Sequence, residues 1–226
     1  MSIEYINNDP QMVKLWHDNE KTLAEQYYKS TPNSVIPFFM EELKNLGFDF
    51  ETSNQALGLM PKNKEIILPV AIKYYQLARE KHIDNEQNYF ISFLHFRGLE
   101  EAVPMLLEDY HSKATESLTR WFISDCLYQI KSKKYVDEYI EIASNPSFGI
   151  NRQMIILLLG KLKVVDAIPV LVDLLEDEEV RLQAISALGE FKREDLRCYF
   201  ERFQHSTHPG WRKYAKKAIK KLDEKQ

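Results

Sequence analysis

Four arginines stand at nearly constant spacing along this 226-residue chain: Arg120, Arg152, Arg181 and Arg212, separated by 32, 29 and 31 residues, with Gln87 filling the same place 33 residues earlier. A guanidinium offers five donors in a planar fork. A ladder of them could hold anions along a groove, or could hold carboxylates and main-chain carbonyls of the protein itself. The second use is the expected one, since Asp177 lies just ahead of Arg181. Beside the ladder, Trp121 and Asp125 are one helical turn apart and Arg152 follows in the next unit. His205 and His208 offer two imidazoles but no recognisable third ligand, so a solvated loop is expected and no metal. HExxH, nucleophile-elbow and phosphate-loop spacings are all missing. No catalytic residue and no cofactor are therefore expected.

The elements that must position these residues follow from the same ruler. Seven residues beyond each member of the series stands Leu94, Leu127, Leu159, Leu188 or Ile219. A period near 30 residues, carrying a helical apolar pattern, predicts stacked antiparallel helix pairs, none of which can bury its apolar stripe alone. The clearest unit runs from Arg152 through Gly160 as one helix and from Asp166 to Leu175 as the next, with Gly160 to Val165 as the turn. Asp166 is expected to cap the second helix, and Pro169 fits its first turn, where a missing amide donor costs little.

The sequence Val180-Arg-Leu-Gln-Ala-Ile-Ser-Ala-Leu-Gly189, preceded by Asp166-Ala-Ile-Pro-Val-Leu-Val-Asp-Leu-Leu-Glu-Asp177, resembles the HEAT repeat, in particular its short phycobilisome-lyase-like variant. The resemblance implies an all-α, right-handed α-solenoid of HEAT/armadillo type in a small bacterial protein. It concerns the repeat itself, so no lyase activity follows. Some HEAT-like solenoids are DNA glycosylases, but the register departs from theirs: Arg120 stands where that family has its catalytic Asp, and Glu116 where it has its Trp.

Ala102-Val-Pro-Met-Leu-Leu107 echoes Ala167-Ile-Pro-Val-Leu171 at 65 residues, and Pro69 precedes Pro104 by 35. The expected organisation is one domain over 1–226. It comprises an amino-terminal helical cap (1–52, with a helix carrying Val13, Trp16, Leu23 and Tyr27), a degenerate repeat (53–85), and repeats with a carboxy-terminal capping helix (86–226). If position seven faces the core, positions one and five face away from it. They present Asn88 and Ser92, Trp121 and Asp125, Gln153 and Leu157, Leu182 and Ser186, then Lys213 and Lys217; position eight adds His95 and Tyr128. In the HEAT family this helix lines the concave surface, which makes these residues the expected partner contacts, with Trp121 as anchor.

A 44% hydrophobic, 28% charged chain with 7 Gly and 9 Pro reads as a helical globular protein. Its two cysteines, Cys126 and Cys198, have no CxxC spacing and are expected to be buried free thiols. No apolar stretch approaches bilayer length and no leader pattern opens the chain, so a cytoplasmic, membrane-free protein is expected. The net charge of −4 is uneven: eleven bases against five acids from Lys192 onward, nineteen against twenty-nine before it. Lys213, Lys216, Lys217, Lys220 and Lys221 form a basic face at that end. The expected function is a non-enzymatic scaffold or adaptor that binds another protein, in one version a bacterial regulatory or immunity protein holding a basic partner. The alternatives are a DNA glycosylase and a nucleic-acid binder using the basic end.

Overall fold

The computed structural model describes residues 10–224, with side chains from Asp18 onward; Val13, Trp16 and Lys225 lie outside the described side chains. Among the described residues the chain is all-helical, with thirteen α-helices, several entered or ended by short 3₁₀ turns, and no strand. It divides into two compact units, Met1–Phe93 and Leu94–Gln226.

The first unit contains α1 (Pro10–Ser30), α2 (Ile36–Asn45), α3 (Ser53–Leu59), α4 (Lys64–Glu80) and α5 (Asp84–Ile91). Its core is aromatic: the Phe39 ring meets Tyr74, Phe90 and Phe93 edge-on at 5.6, 5.1 and 5.3 Å. Gly47, at φ +93°, ends α2 in a conformation that glycine adopts without strain. Thr52 and Gln55 form a reciprocal capping box at the start of α3. The carboxylate of Glu86 is buried on α5 and accepts from the Tyr27 hydroxyl at 3.1 Å, the Ser34 hydroxyl, and the Val35 amide at 2.7 Å. The last of these fixes the start of α2. Burial first, then the Glu86 carboxylate, push the Tyr27 phenol up to about 12. Pro69 lies inside α4, five residues past its start, whereas Pro104 and Pro169 sit in first turns. The proline echo therefore holds between Pro104 and Pro169 and fails at Pro69.

The second unit contains α6 (Val103–His111), α7 (Ser117–Ile130), α8 (Val136–Ser144), α9 (Gln153–Leu162), α10 (Ile168–Asp173), α11 (Arg181–Leu188), α12 (Arg197–Glu201) and α13 (Pro209–Asp223). Helices α7, α9, α11 and α13 carry the arginines or start directly behind them, and they pack in sequence: α7 on α9, α9 on α11, α11 on α13. Each also packs on the helix before it, α6, α8, α10 or α12. Leu94, Leu127, Leu159 and Leu188 are fully buried and Ile219 is half-buried. The seven-residue offset thus does mark the apolar seam.

Three details differ from the sequence expectation. Gly160 does not begin a turn but lies inside α9, where its missing Cβ lets Ala187 of α11 approach; an added Cβ would lie 2.5 Å from the Ala187 Cα. Asp166 caps nothing, because a 3₁₀ turn over Val165–Ala167 leads into α10 and its amides are taken up along the chain. Cys198 is exposed, while Cys126 is buried, and burial pushes that thiol far up, away from the thiolate.

The helix ends also carry a regularity of their own. Gly98, Lys131, Lys163 and Lys192 all have positive φ, at 81, 58, 56 and 53°, and each lies eleven residues beyond Gln87, Arg120, Arg152 or Arg181. Every such turn thus closes in the left-handed conformation, three times on a lysine, for which it is strained.

Candidate functional site

The four arginines are anchored on main-chain carbonyls at the end of the preceding helix or in the turn that follows it. Arg120 donates to the carbonyls of Tyr110 and Ser112 at 2.8 and 2.9 Å, and its guanidinium lies over the rings of Tyr110 and Phe148. Arg152 donates to Gly149 and Ala143 at 2.9 and 3.3 Å and to the carboxylate of Asp177 at 2.6 Å. Arg181 donates to Leu175 and Glu176 at 2.6 and 3.1 Å, and Arg212 to Ser206 and Thr207 at 2.6 and 3.3 Å. The last carbonyls of a helix have no partner within it, and a forked donor two or three turns on satisfies them.

Arg152 is 1% exposed and is the largest fully buried side chain among the described residues. The partner of Asp177 is therefore Arg152 from the preceding unit; Arg181, its nearer neighbour in sequence, meets Glu178 instead, at 3.5 Å. Desolvation works to raise the Asp177 carboxyl, but the hydrogen bonds from Arg152 and from the Glu179 amide outweigh it, and the group sits below the usual carboxylate range. Arg181 is further covered by Trp211, whose ring centroid lies 4.4 Å from the guanidinium carbon, while His208 stacks on the same indole at 4.4 Å. His208 also accepts from the Trp211 amide at the start of α13. Of the two loop histidines, His208 thus serves capping and stacking, and among the described residues no group of three or more His, Cys, Asp or Glu could hold a metal ion.

The expected contact column is placed unevenly. Asn88 and Ser92 belong to the first unit. Asn88 is buried and not presented to solvent, since α5 is enclosed on most of its girth, with Glu86, Gln87, Phe90 and Ile91 also buried. In the second unit Trp121 is exposed at 37%, and Asp125, Tyr128, Gln153, Leu157, Leu182 and Ser186 are half-buried. Leu182 is half-covered because its Cδ1 lies over Gly210 at the start of α13, 3.1 Å from where a Cβ would be. Gln153 reaches across to the carbonyl of Glu179 at 2.9 Å. Ser186 borders a cavity of about 10 Å³ between α11 and α13, too small for a ligand. Position eight is uneven: in α9 and just past α11 it is Gly160 and Gly189, buried against Ala187 and Ala218, while Tyr128 and His95 are half-buried and Lys220 is exposed. His95 at this position lies 3.9 Å from Asp125; burial lowers the imidazole and the carboxylate only partly offsets it.

Two exposed apolar residues just ahead of ladder arginines escaped the sequence reading. Leu118 and Ile150 are 56% and 53% exposed, each two residues before an arginine of the ladder. Leu118 shares a helix face with Trp121 at i, i+3. The Asn151 side chain donates to the Ser117 hydroxyl at 3.0 Å, bringing the segment that carries Ile150 against the start of α7. Their signal lay two positions ahead of each arginine, outside the helical offsets that were counted.

At the carboxy-terminal end, Lys213, Lys216, Lys217 and Lys220 are exposed and Lys221 is half-buried. Lys221 pairs with Glu190 at 2.7 Å and Lys220 with Glu224 at 3.6 Å, so part of the face is neutralised, and the Lys221 bond holds the Glu190 carboxyl low. Among the described residues no helix is long and apolar enough to cross a membrane. No family model, curated protein or solved structure matches the chain.

Proposed function

We propose that the protein is a HEAT-like α-solenoid acting as a non-enzymatic scaffold that binds another protein through its arginine-bearing helices. The repeat likeness around Val180–Gly189, the sequential packing of α7, α9, α11 and α13, and the four equivalent arginine clamps support the solenoid. The observation that carries the binding reading is the exposure of Trp121 beside Leu118 and Ile150. Large apolar side chains gathered on a surface favour a protein interface, and a Trp at its centre favours an anchor. An enzymatic reading has less support. The groups most displaced in pKa are buried tyrosines and Cys126, all pushed away from their reactive ionised forms by packing.

The test is a pull-down with the wild type and Trp121→Ala, with thermal melting as the control for folding. A protein partner recovered by the wild type and lost by the variant, at unchanged melting temperature, is the expected result. Recovery of nucleic acid alone sinks the scaffold reading in favour of the alternative carried by Lys213, Lys216 and Lys217, which have no ion pair among the described residues.

A further inference from the structure

We propose that Leu118, Trp121 and Ile150 dock an amphipathic helical segment bearing Lys or Arg, whose cations are received by Glu116, Asp125 and Glu179; this rests on the scaffold reading and narrows it to one chemical class of partner. Leu118 and Ile150 occupy the same register position, two before the arginine, on consecutive segments. The Asn151–Ser117 hydrogen bond joins the residues next to them, so the two side chains stand on adjoining segments. Trp121 lies one turn from Leu118 on the same face, so three large exposed apolar side chains stand on two adjoining segments.

The third position of the Leu118–Ile150 row is Glu179, two before Arg181. The row therefore passes from apolar to acidic as it crosses from α9 to α11. The Glu179 carboxylate is turned back toward Gly149, the neighbour of Ile150: its Oε2 is 3.6 Å from where a Gly149 Cβ would be. Glu116, at the cap of α7, closes the other side, and Asp125 lies one turn beyond Trp121. None of the three carboxylates has a Lys or Arg ion pair among the described residues. The cations packed around them are otherwise engaged. Arg120 and Arg181 hold carbonyls, Arg152 is buried on Asp177, and His95, 3.9 Å from Asp125, is depressed by burial; Lys113 is exposed in the loop before α7.

An apolar surface beside carboxylates that lack a Lys or Arg partner selects an amphipathic helix with basic flanks, since both the buried area and the charges are then matched. A second copy of this chain fits less well. Its most basic segment, α13, has Ala215, Ala218 and Leu222 already buried, so it has no free apolar stripe to offer.

The probe is a fluorescein-labelled amphipathic helical peptide of leucine and lysine, titrated into the full-length protein by fluorescence anisotropy. A leucine–glutamate peptide of the same pattern serves as counterpart. The leucine–lysine peptide should bind, and Leu118→Ala and Ile150→Ala should each weaken it by about tenfold, the equivalent of about 1.4 kcal/mol. Glu179→Lys and Glu116→Lys should weaken it more at low than at high salt. Glu65→Lys, on the first unit, makes the same charge change elsewhere and should leave the affinity within about twofold. All these positions are solvent-exposed, so melting temperatures should stay near that of the wild type.

Equal effects of Glu65→Lys and Glu179→Lys would reduce the attraction to net charge and overturn the proposal. Concentration-dependent dimerisation abolished by Leu118→Ala would overturn it in favour of a second copy. Preferential binding of the leucine–glutamate peptide, still dependent on Leu118, would overturn the basic-partner assignment while leaving the scaffold reading intact. Absence of any peptide binding together with loss of protein from the pull-down would remove both.

Discussion

Arg152 concentrates the problem of burying a charge. Its guanidinium is out of water, so it is held only because two carbonyls and the Asp177 carboxylate take its donors. Removing the arginine leaves those acceptors orphaned, and Arg152→Ala is expected to cost roughly 3 kcal/mol or more, read as a fall in the midpoint of urea unfolding. Arg181→Ala, at a partly exposed clamp, is expected to cost less, about 1.5–3 kcal/mol. The Asp177 end of the pair titrates. Its folded pKa lies below the ordinary value of 3.8, so its stabilisation is complete above that pH and is lost as the pH falls through the folded pKa. Asp177→Asn should therefore flatten the acid side of the stability profile, seen as melting temperatures between about pH 5 and pH 2 that fall less steeply than those of the wild type. An unchanged profile would show that Arg152 stays paired without it.

At the scale of elements, the helix ends decide what could be read beforehand. The leucine seam was legible because burial and a helical offset are both sequence properties: Leu127, Leu159 and Leu188 recur with the arginines and are all buried. The turns were less so. Glycine is the usual signal for a left-handed helix end, and here that place is taken by Lys131, Lys163 and Lys192, while the glycine of α9 serves close packing on Ala187. A reader following glycine therefore ends α9 too early. Exposure was misjudged for a related reason. Offsets locate the face of a helix, but the next helix covers Leu182, and α5 has no open face for Asn88.

This yields two opposed substitutions at neighbouring positions. Lys163→Gly relieves a strained backbone and should stabilise the protein by up to about 1 kcal/mol. Gly160→Ala pushes a methyl into the Ala187 backbone, and forced overpacking of this kind should destabilise by about 1–3 kcal/mol despite the better helix propensity of alanine. Differential scanning calorimetry of the two variants reads both signs in one comparison.

For the whole molecule, the division at Phe93 sets how far such damage should travel. Each unit has its own buried polar fixture: Glu86 holding the start of α2 in the first, Arg152 holding the end of α8 in the second. In a stack where each helix pair rests on its neighbours, loosening one contact lowers the protection of the pairs beside it and fades with distance. Native-state hydrogen exchange of Gly160→Ala should thus show the largest loss of protection in α9 and α11, a smaller one in α7 and α13, and wild-type protection across α1 to α5. Glu86→Gln should do the converse, since the amide can no longer accept as a charged partner from the Val35 amide and two hydroxyls. Equal loss of protection across all thirteen helices in either variant would mean that the chain unfolds as one cooperative body, and the graded stack proposed for α7 to α13 would then fail as a description of its energetics.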